Sequence, residues 1–243
     1  MAAPISLVKV LLFLDLFSLI EFGNYSLSLL YGGFFSYILA LGNHEGLIKK
    51  LTLISASEDK ELIKNFLSQS SISYLLTAIP LVLISVSFLY GFGFLDFYYS
   101  VLAISTGLSI SACNLISVKW KVYGNFKVFG LFNFTRLLLL TTPLIYSYLI
   151  KPIEIVEILI IESFIAIFIP VLTSIYLGLI RNLNLEFFRK EYINVLKVGL
   201  PLSLGALTKQ MIFTIERTVA KLNLNPDDFG LYSAYMIIFQ VLI

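Results

Sequence analysis

Long uninterrupted runs of apolar residues dominate the hydrophobicity pattern of this chain. Three segments, 22–43, 65–95 and 97–118, contain no Asp, Glu, Lys, Arg or His. About 20 apolar residues are enough for a helix to span a bilayer. We therefore predict an all-α, polytopic membrane helix bundle. Its eight helices lie at about 5–21, 25–42, 71–91, 97–118, 128–150, 155–180, 198–217 and 229–243.

The composition agrees with a membrane protein and excludes several other classes. Of the 243 residues, 58% are hydrophobic and 13% are charged, whereas a soluble domain carries about 25% charged residues. The net charge of +2 gives no reason to expect a nucleic-acid partner. One cysteine, Cys113, and one histidine, His44, cannot form a metal cluster. We expect no metal and no cofactor, apart from a coupling ion, H⁺ or Na⁺.

The distribution of basic residues predicts the orientation. One set of alternate loops, 43–70, 119–127 and 181–197, holds 11 Lys and Arg residues, and the opposite set holds 3. By the positive-inside rule the first set faces the cytoplasm. We therefore expect a multi-pass protein of the cytoplasmic membrane with a cytoplasmic N-terminus.

The longest of these loops carries a helical pattern of its own. Ser55-Ala56-Ser57-Glu58 matches a capping box, and apolar residues follow at helical spacing over 62–67. We expect a separate helix here, lying along the inner membrane surface among the membrane lipids. The mixed basic and aromatic segment 181–197 is predicted to be a similar interfacial linker.

A six-residue motif occurs twice. Glu21-Phe22-Gly23-Asn24-Tyr25-Ser26 and Asp228-Phe229-Gly230-Leu231-Tyr232-Ser233 lie 207 residues apart, and acid, Phe, Gly, Tyr and Ser recur in register. Each copy links two predicted helices, and six helices separate equivalent points. An even number of spans predicts a parallel repeat of two bundles.

Together with Leu41-Gly42 and Val198-Gly199-Leu200-Pro201-Leu202, these motifs resemble those of a known family. The chain is similar to the oligosaccharide flippases of polysaccharide export, in the superfamily that also contains multidrug and toxin extruders. The resemblance implies a transporter of two six-helix bundles that moves lipid-linked sugar by alternating access.

The resemblance also sets the expected domain organisation. Residues 1–180 would form the first six-helix bundle, 181–197 a cytoplasmic interfacial linker, and 198–243 the first two helices of the second bundle. Because family members have twelve or more helices, we expect this chain to be a fragment whose partner is the missing second bundle.

Charged residues at membrane depth are the candidate functional groups, since each costs roughly 2.5–3.5 kcal/mol to insert. Arg136, Lys209 and Lys9 could bind the phosphates of a lipid-linked oligosaccharide by charge-assisted hydrogen bonds, although Arg136 could equally serve packing. Asp15, Glu216 and Glu162 could bind a coupling ion, although Glu216 could instead pair with Lys209, two helical turns away.

Three functions remain open at this stage. The leading one is a flippase for polyprenyl-diphosphate oligosaccharide in surface polysaccharide biosynthesis. A cation-coupled extruder of drugs or small metabolites is the alternative. A membrane enzyme acting on lipid-linked sugars is less favoured, because the predicted outer loops are short and the one histidine is on the inner side. We expect a transporter with no catalytic residues.

Overall fold

A computed structural model describes residues 2–55, 60–179 and 185–242, and within these ranges every regular element is helical. Ten α-helices follow one another along the chain. They are α1 Ala2–Leu16, α2 Leu19–Ala40, α3 Asn43–Ser55, α4 Lys60–Gly91, α5 Phe97–Val122, α6 Phe126–Leu149, α7 Ile155–Tyr176, α8 Leu185–Phe187, α9 Ile193–Asn223 and α10 Pro226–Leu242. A five-residue π-helical turn, Phe188–Tyr192, joins α8 to α9.

Five helices in the described ranges are long and apolar enough to cross a membrane: α4, α5, α6, α7 and α9 with the turn before it. A sixth span is possible if α2 and α3, which are bent by 51° at their junction, count as one broken span. The all-helical fold and the multi-pass composition agree with the prediction. The predicted number of eight spans is higher, because α1 and α10 have only 15 and 17 residues.

Helix α5 lies at the centre of the bundle and packs against α2, α4 and α7. Small residues permit its closest approach: a Cβ on Gly107 would lie 2.9 Å from the carbonyl oxygen of Gly32 on α2. In lipid, helices associate largely through such close backbone packing. Buried serines along α5 return their hydroxyls to their own helix, as Ser117 does to the Asn114 carbonyl at 2.7 Å.

Helix α2 begins earlier than predicted. Ser18 caps it: the Ser18 hydroxyl accepts from the Glu21 amide at 3.3 Å, and the Glu21 carboxylate accepts from the Ser18 amide at 2.9 Å. This capping box satisfies amides that the first turn leaves without helical partners. Gly23 and Asn24, which fall in the predicted link between the first two helices, lie inside α2.

The start of α10 repeats the start of α2. Pro226 and Leu19 are the first residues of the two helices and lie 207 residues apart. Asn225 takes the place of Ser18. Its side-chain amide donates to the Asp228 carboxylate at 3.4 Å, as the Ser18 hydroxyl donates to the Glu21 carboxylate at 2.7 Å. The repeated motif therefore occupies the same position at the start of both helices.

The predicted helix along the inner surface is not a separate element. Its apolar residues belong to α4, a continuous helix of 32 residues, and Ile63 and Leu67 are buried in the bundle. The capping box at 55–58 falls largely on residues 56–59, outside the described ranges. The described residues of the 43–70 region belong to two helices instead. One is α3, which packs on α9, and the other is the beginning of α4.

Two further features concern the α5–α6 hairpin. Trp120, near the end of α5, packs on Phe132 of α6 with ring centroids 5.1 Å apart. Pro143 lies inside α6. Because proline has no backbone N–H, it cannot donate a hydrogen bond to the Leu139 carbonyl. The Thr142 hydroxyl donates to that carbonyl instead, at 2.6 Å, so the helix continues past the proline to Leu149.

A candidate anion-binding cavity

A cavity of about 400 Å³ lies inside the bundle. Helices α1, α2, α5, α6 and α9 contribute most of its wall. Its polar lining consists of Ser6, Lys9, Tyr25, Ser26, Thr106, Ser109, Arg136, Gln210 and Arg217. The rest of the lining is apolar, as in most ligand pockets, so the orientation of a ligand would depend on this small polar set.

Lys9 and Glu162 form a buried ion pair at the edge of the cavity. The Lys9 ammonium donates to the Glu162 carboxylate at 3.0 Å, and the Tyr25 hydroxyl donates to the same oxygen at 2.8 Å. The Glu162 side chain is 1% exposed. Since a buried charge is costly unless it is paired and hydrogen-bonded, this arrangement ties α1 and α2 to α7.

Arg136 reaches the cavity from the middle of α6. Its Nε atom is buried and has no hydrogen-bond partner among the described residues. The Cys113 thiol of α5 lies beside the guanidinium and interacts with it. The Arg136 side chain is also among the residues that line the cavity.

Arg217 and Gln210 of α9 complete the polar lining, and the sequence alone did not single them out. Arg217 is 3% exposed and lies close enough to Glu216 and Tyr232 to interact with them electrostatically. Gln210 donates to the Leu30 carbonyl of α2 at 3.3 Å. The predicted helix stops at 217, whereas α9 continues to Asn223, so Arg217 lies inside the bundle.

Three cationic side chains line the cavity. Lys9 is paired with Glu162, Arg217 lies close to Glu216, and Arg136 is the third. The described residues that line the cavity include no Asp or Glu. Because the rest of the lining is apolar, such a site attracts anions more strongly than the same charges would in water.

Four of the predicted charged candidates do not line this cavity, although Glu162 among them contacts a lining cation through its pair with Lys9. Lys209 is exposed on α9, and Asp15 is exposed on α1. Glu216 is also exposed and accepts from the Tyr232 hydroxyl of α10 at 2.6 Å. Among the ion pairs of the described residues there is none between Lys209 and Glu216. The structure thus brings together Lys9, Glu162 and Arg136, and leaves the other three outside.

Other chemistry is not assembled in the described part of the chain. It contains no group of three His, Cys, Asp or Glu side chains that could hold a metal ion. Comparisons with protein-family models, curated proteins and solved structures gave no match. Since no family is identified, the fold and the cavity define only a general class of protein. It is all-helical in its described part, is compatible with several membrane passes, and has a cavity lined by cationic side chains.

Proposed function

We propose that this protein is a membrane carrier for an anionic, lipid-linked oligosaccharide, the polyprenyl-diphosphate class, and that Arg136 and Arg217 bind its diphosphate. The observation that supports this proposal is the pair of arginines facing one cavity inside an apolar bundle. Charged residues at membrane depth are costly and usually line a substrate path. The resemblance of the glycine motifs to those of oligosaccharide flippases supports the same proposal.

The chemistry of the cavity fits a diphosphate better than a cation. A guanidinium presents a planar set of donors that matches phosphate oxygens. Hydroxyl groups of Thr106 and Ser109 could add donors, and the apolar lining suits a lipid or a sugar face. The acid beside the cavity, Glu162, already accepts from Lys9 and Tyr25. This leaves little capacity for a coupling cation or a cationic drug, which is why we prefer the flippase to the extruder.

We further propose the cytoplasmic membrane as the location, with the N-terminus in the cytoplasm. The excess of Lys and Arg in the loops at one side supports this orientation. In the structure these loops share one end of the bundle, since His44 at the start of α3 lies 3.2 Å from the Lys121 ammonium at the end of α5. We name this the α2–α3 end, and the opposite one the α1–α2 end.

The test measures binding of farnesyl diphosphate, a short diphosphate lipid, to the purified chain in lipid nanodiscs. We expect Arg136→Gln and Arg217→Gln each to weaken binding by about 10- to 100-fold, the range for losing one hydrogen bond to a charged group, about 1.5–3 kcal/mol. Lys209→Gln is the matched control and should bind normally, because Lys209 lies outside the cavity. Farnesol, which lacks the diphosphate, should bind weakly to all variants.

Equal affinity of the wild type for farnesol and farnesyl diphosphate would contradict an anion site. Normal diphosphate binding by both arginine variants would show that the cavity cations do not hold the ligand. In either case the carrier proposal loses its support from the structure.

A further inference from the structure

A second, smaller cavity lies between α4 and α7. Both helices pack against α5, and between them they leave a groove of about 80 Å³ over one face of α5. Leu179, just beyond α7, also lines it. We call this space the α4–α7 groove.

The α4–α7 groove and the cationic cavity use different faces of α5. Ser109 and Ile110 line the cavity, whereas Leu108 and Ala112 line the groove. Since an α-helix has 3.6 residues per turn, these two pairs point in different directions. Helix α5 therefore separates the groove from the site proposed for the diphosphate.

The groove opens on the outer surface of the bundle. Leu75 of α4 and Val171 of α7 line it, and each is 45% exposed. Helices α4, α5 and α7 are long and apolar enough to cross a membrane, and when they do so this surface faces hydrocarbon. Along α7 the lining extends from Ile167 to Ser174, about 10 Å at 1.5 Å per residue. Because the hydrocarbon core is about 30 Å thick, the groove fits within one leaflet.

The groove favours a hydrocarbon chain over water. Most of its lining residues are apolar, and two of the polar ones form hydrogen bonds within the protein. The Ser71 hydroxyl donates to the Leu67 carbonyl of its own helix at 2.8 Å, and the Tyr74 hydroxyl is hydrogen-bonded to Ser111 of α5. A buried water molecule typically needs two to four polar partners, and apolar contact is what this lining mainly offers.

A cation lies at one end of the groove. The Ser68 hydroxyl donates to the Leu179 carbonyl at 2.9 Å and ties the segment after α7 to α4. The Lys64 ammonium lies beside this segment, 3.7 Å from the position that a Cβ would have on Gly178. Lys64 is exposed, and none of the three ion pairs found among the described residues involves it. Since Leu179 shares a buried cluster with Leu47 of α3, this is the α2–α3 end.

We propose that the α4–α7 groove and Lys64 form a binding site for an anionic phospholipid of the adjacent leaflet. One acyl chain lies in the groove, and the negatively charged headgroup lies beside the Lys64 ammonium. Basic residues at the membrane surface attract anionic lipids, and the groove fixes where along that surface the lipid is held. This site goes beyond the proposed carrier function and does not depend on it.

The test measures lipid binding to the purified chain by native mass spectrometry, which counts the lipids that the protein retains on release from detergent micelles. The probes are phosphatidylglycerol, which is anionic, and phosphatidylcholine, which is zwitterionic, with identical acyl chains. Lys64→Gln removes the cation, and its matched control is Lys127→Gln, which removes an exposed lysine of α6 near the same end. Ala112→Phe fills the groove, and its control is Leu172→Phe, on an exposed position of α7 outside the lining.

We expect the wild type to bind its first phosphatidylglycerol about fivefold more tightly than phosphatidylcholine, the effect of one basic residue at an anionic surface. Lys64→Gln should bind both lipids alike, whereas Lys127→Gln should retain the preference. Ala112→Phe should weaken both lipids about tenfold, because van der Waals contacts with the groove distinguish this position from the surrounding hydrocarbon. Leu172→Phe should bind like the wild type. If Ala112→Phe does not fold, as judged by circular dichroism, Ala112→Leu is compared in the same way.

Equal affinity of the wild type for the two phospholipids, or an equal loss in Lys64→Gln and Lys127→Gln, would overturn the headgroup assignment and with it the proposal. Unchanged binding by the groove-filling variant would overturn it as well. Excess farnesyl diphosphate should leave the bound phosphatidylglycerol in place, because α5 separates the two sites. Displacement would mean that the groove holds a diphosphate lipid instead of a phospholipid. Failure of diphosphate binding at the cationic cavity would leave this result unaffected, so the two proposals are tested separately.

Discussion

Breaking the Lys9–Glu162 pair should destabilise the bundle far more than replacing the whole pair. Glu162 is 1% exposed and Lys9 15% exposed, and their charged atoms are 3.0 Å apart. In Glu162→Leu the Lys9 ammonium loses its partner, and in Lys9→Met the carboxylate retains only the Tyr25 hydroxyl. The double variant Lys9→Met/Glu162→Leu removes both charges and retains most of the side-chain volume.

The magnitude follows from the burial of the carboxylate. Removing one member of a buried ion pair leaves the other charge unpaired and lowers the free energy of unfolding by about 3–5 kcal/mol. Replacing both members by apolar residues is often close to neutral. Lys9 borders the cavity and can be partly hydrated there, so we place Glu162→Leu near the lower limit, about 3 kcal/mol. We expect the double variant within about 1 kcal/mol of the wild type. Because each single variant is expected to cost about 3 kcal/mol or more, the coupling energy is then about 5 kcal/mol or larger.

The assay is reversible unfolding in mixed micelles, with SDS as the denaturant and far-UV circular dichroism as the probe. The double-mutant cycle compares the wild type, both single variants and the double variant. Losses that simply add, with a coupling energy below about 1 kcal/mol, would refute the reasoning. Such a result would mean that the two charges are solvated independently and that the pair does not tie α1 to α7.

Three smaller effects on stability follow from local geometry and can be measured in the same unfolding titration. Ser18→Ala removes the cap of α2 and should cost about 1 kcal/mol; an unchanged midpoint would show that the cap is dispensable. Leu41→Gly should stabilise the chain by about 1 kcal/mol by relieving a left-handed conformation, φ 47°, and a loss of stability would show that the Leu41 side chain matters more. Gly107→Ala should lower the free energy of unfolding by about 1–3 kcal/mol, because the added methyl group forces α5 away from α2. The control Gly130→Ala, where the methyl group enters open space on α6, should raise it. Equal effects of the two variants would contradict the close packing of α5 on α2.

The long apolar helices could be predicted because their signal is compositional. A run without charges, such as 65–95, allows few alternatives to a membrane helix, and α4 ends at Gly91 as expected. Helix boundaries near polar residues were harder to predict. Gly23-Asn24 has the composition of a turn, but the Ser18 capping box starts α2 earlier, and packing against α10 makes a glycine useful inside the helix.

The sequence predicted which types of residue form the candidate site better than it predicted which of these residues border the cavity. A charged residue in an apolar helix suggests a functional group, which led to Arg136, Lys9 and Glu162. The same argument led to Lys209, which lies one residue from the cavity-lining Gln210 but points about 100° away around the helix. In a membrane helix both faces are apolar, so the hydrophobic period that would separate them is weak. Only the tertiary contacts show which face borders the cavity.

Trp120 gives the chain a built-in optical reporter for one end of the bundle. It is the single tryptophan, and its ring packs at a tilt against Phe132 where α5 turns into α6. That turn lies at the α2–α3 end, next to Lys121 and its neighbour His44. The emission spectrum of the unlabelled protein should therefore respond to rearrangement at that end and remain silent when only the other end moves, so ligand titrations followed by fluorescence can distinguish the two.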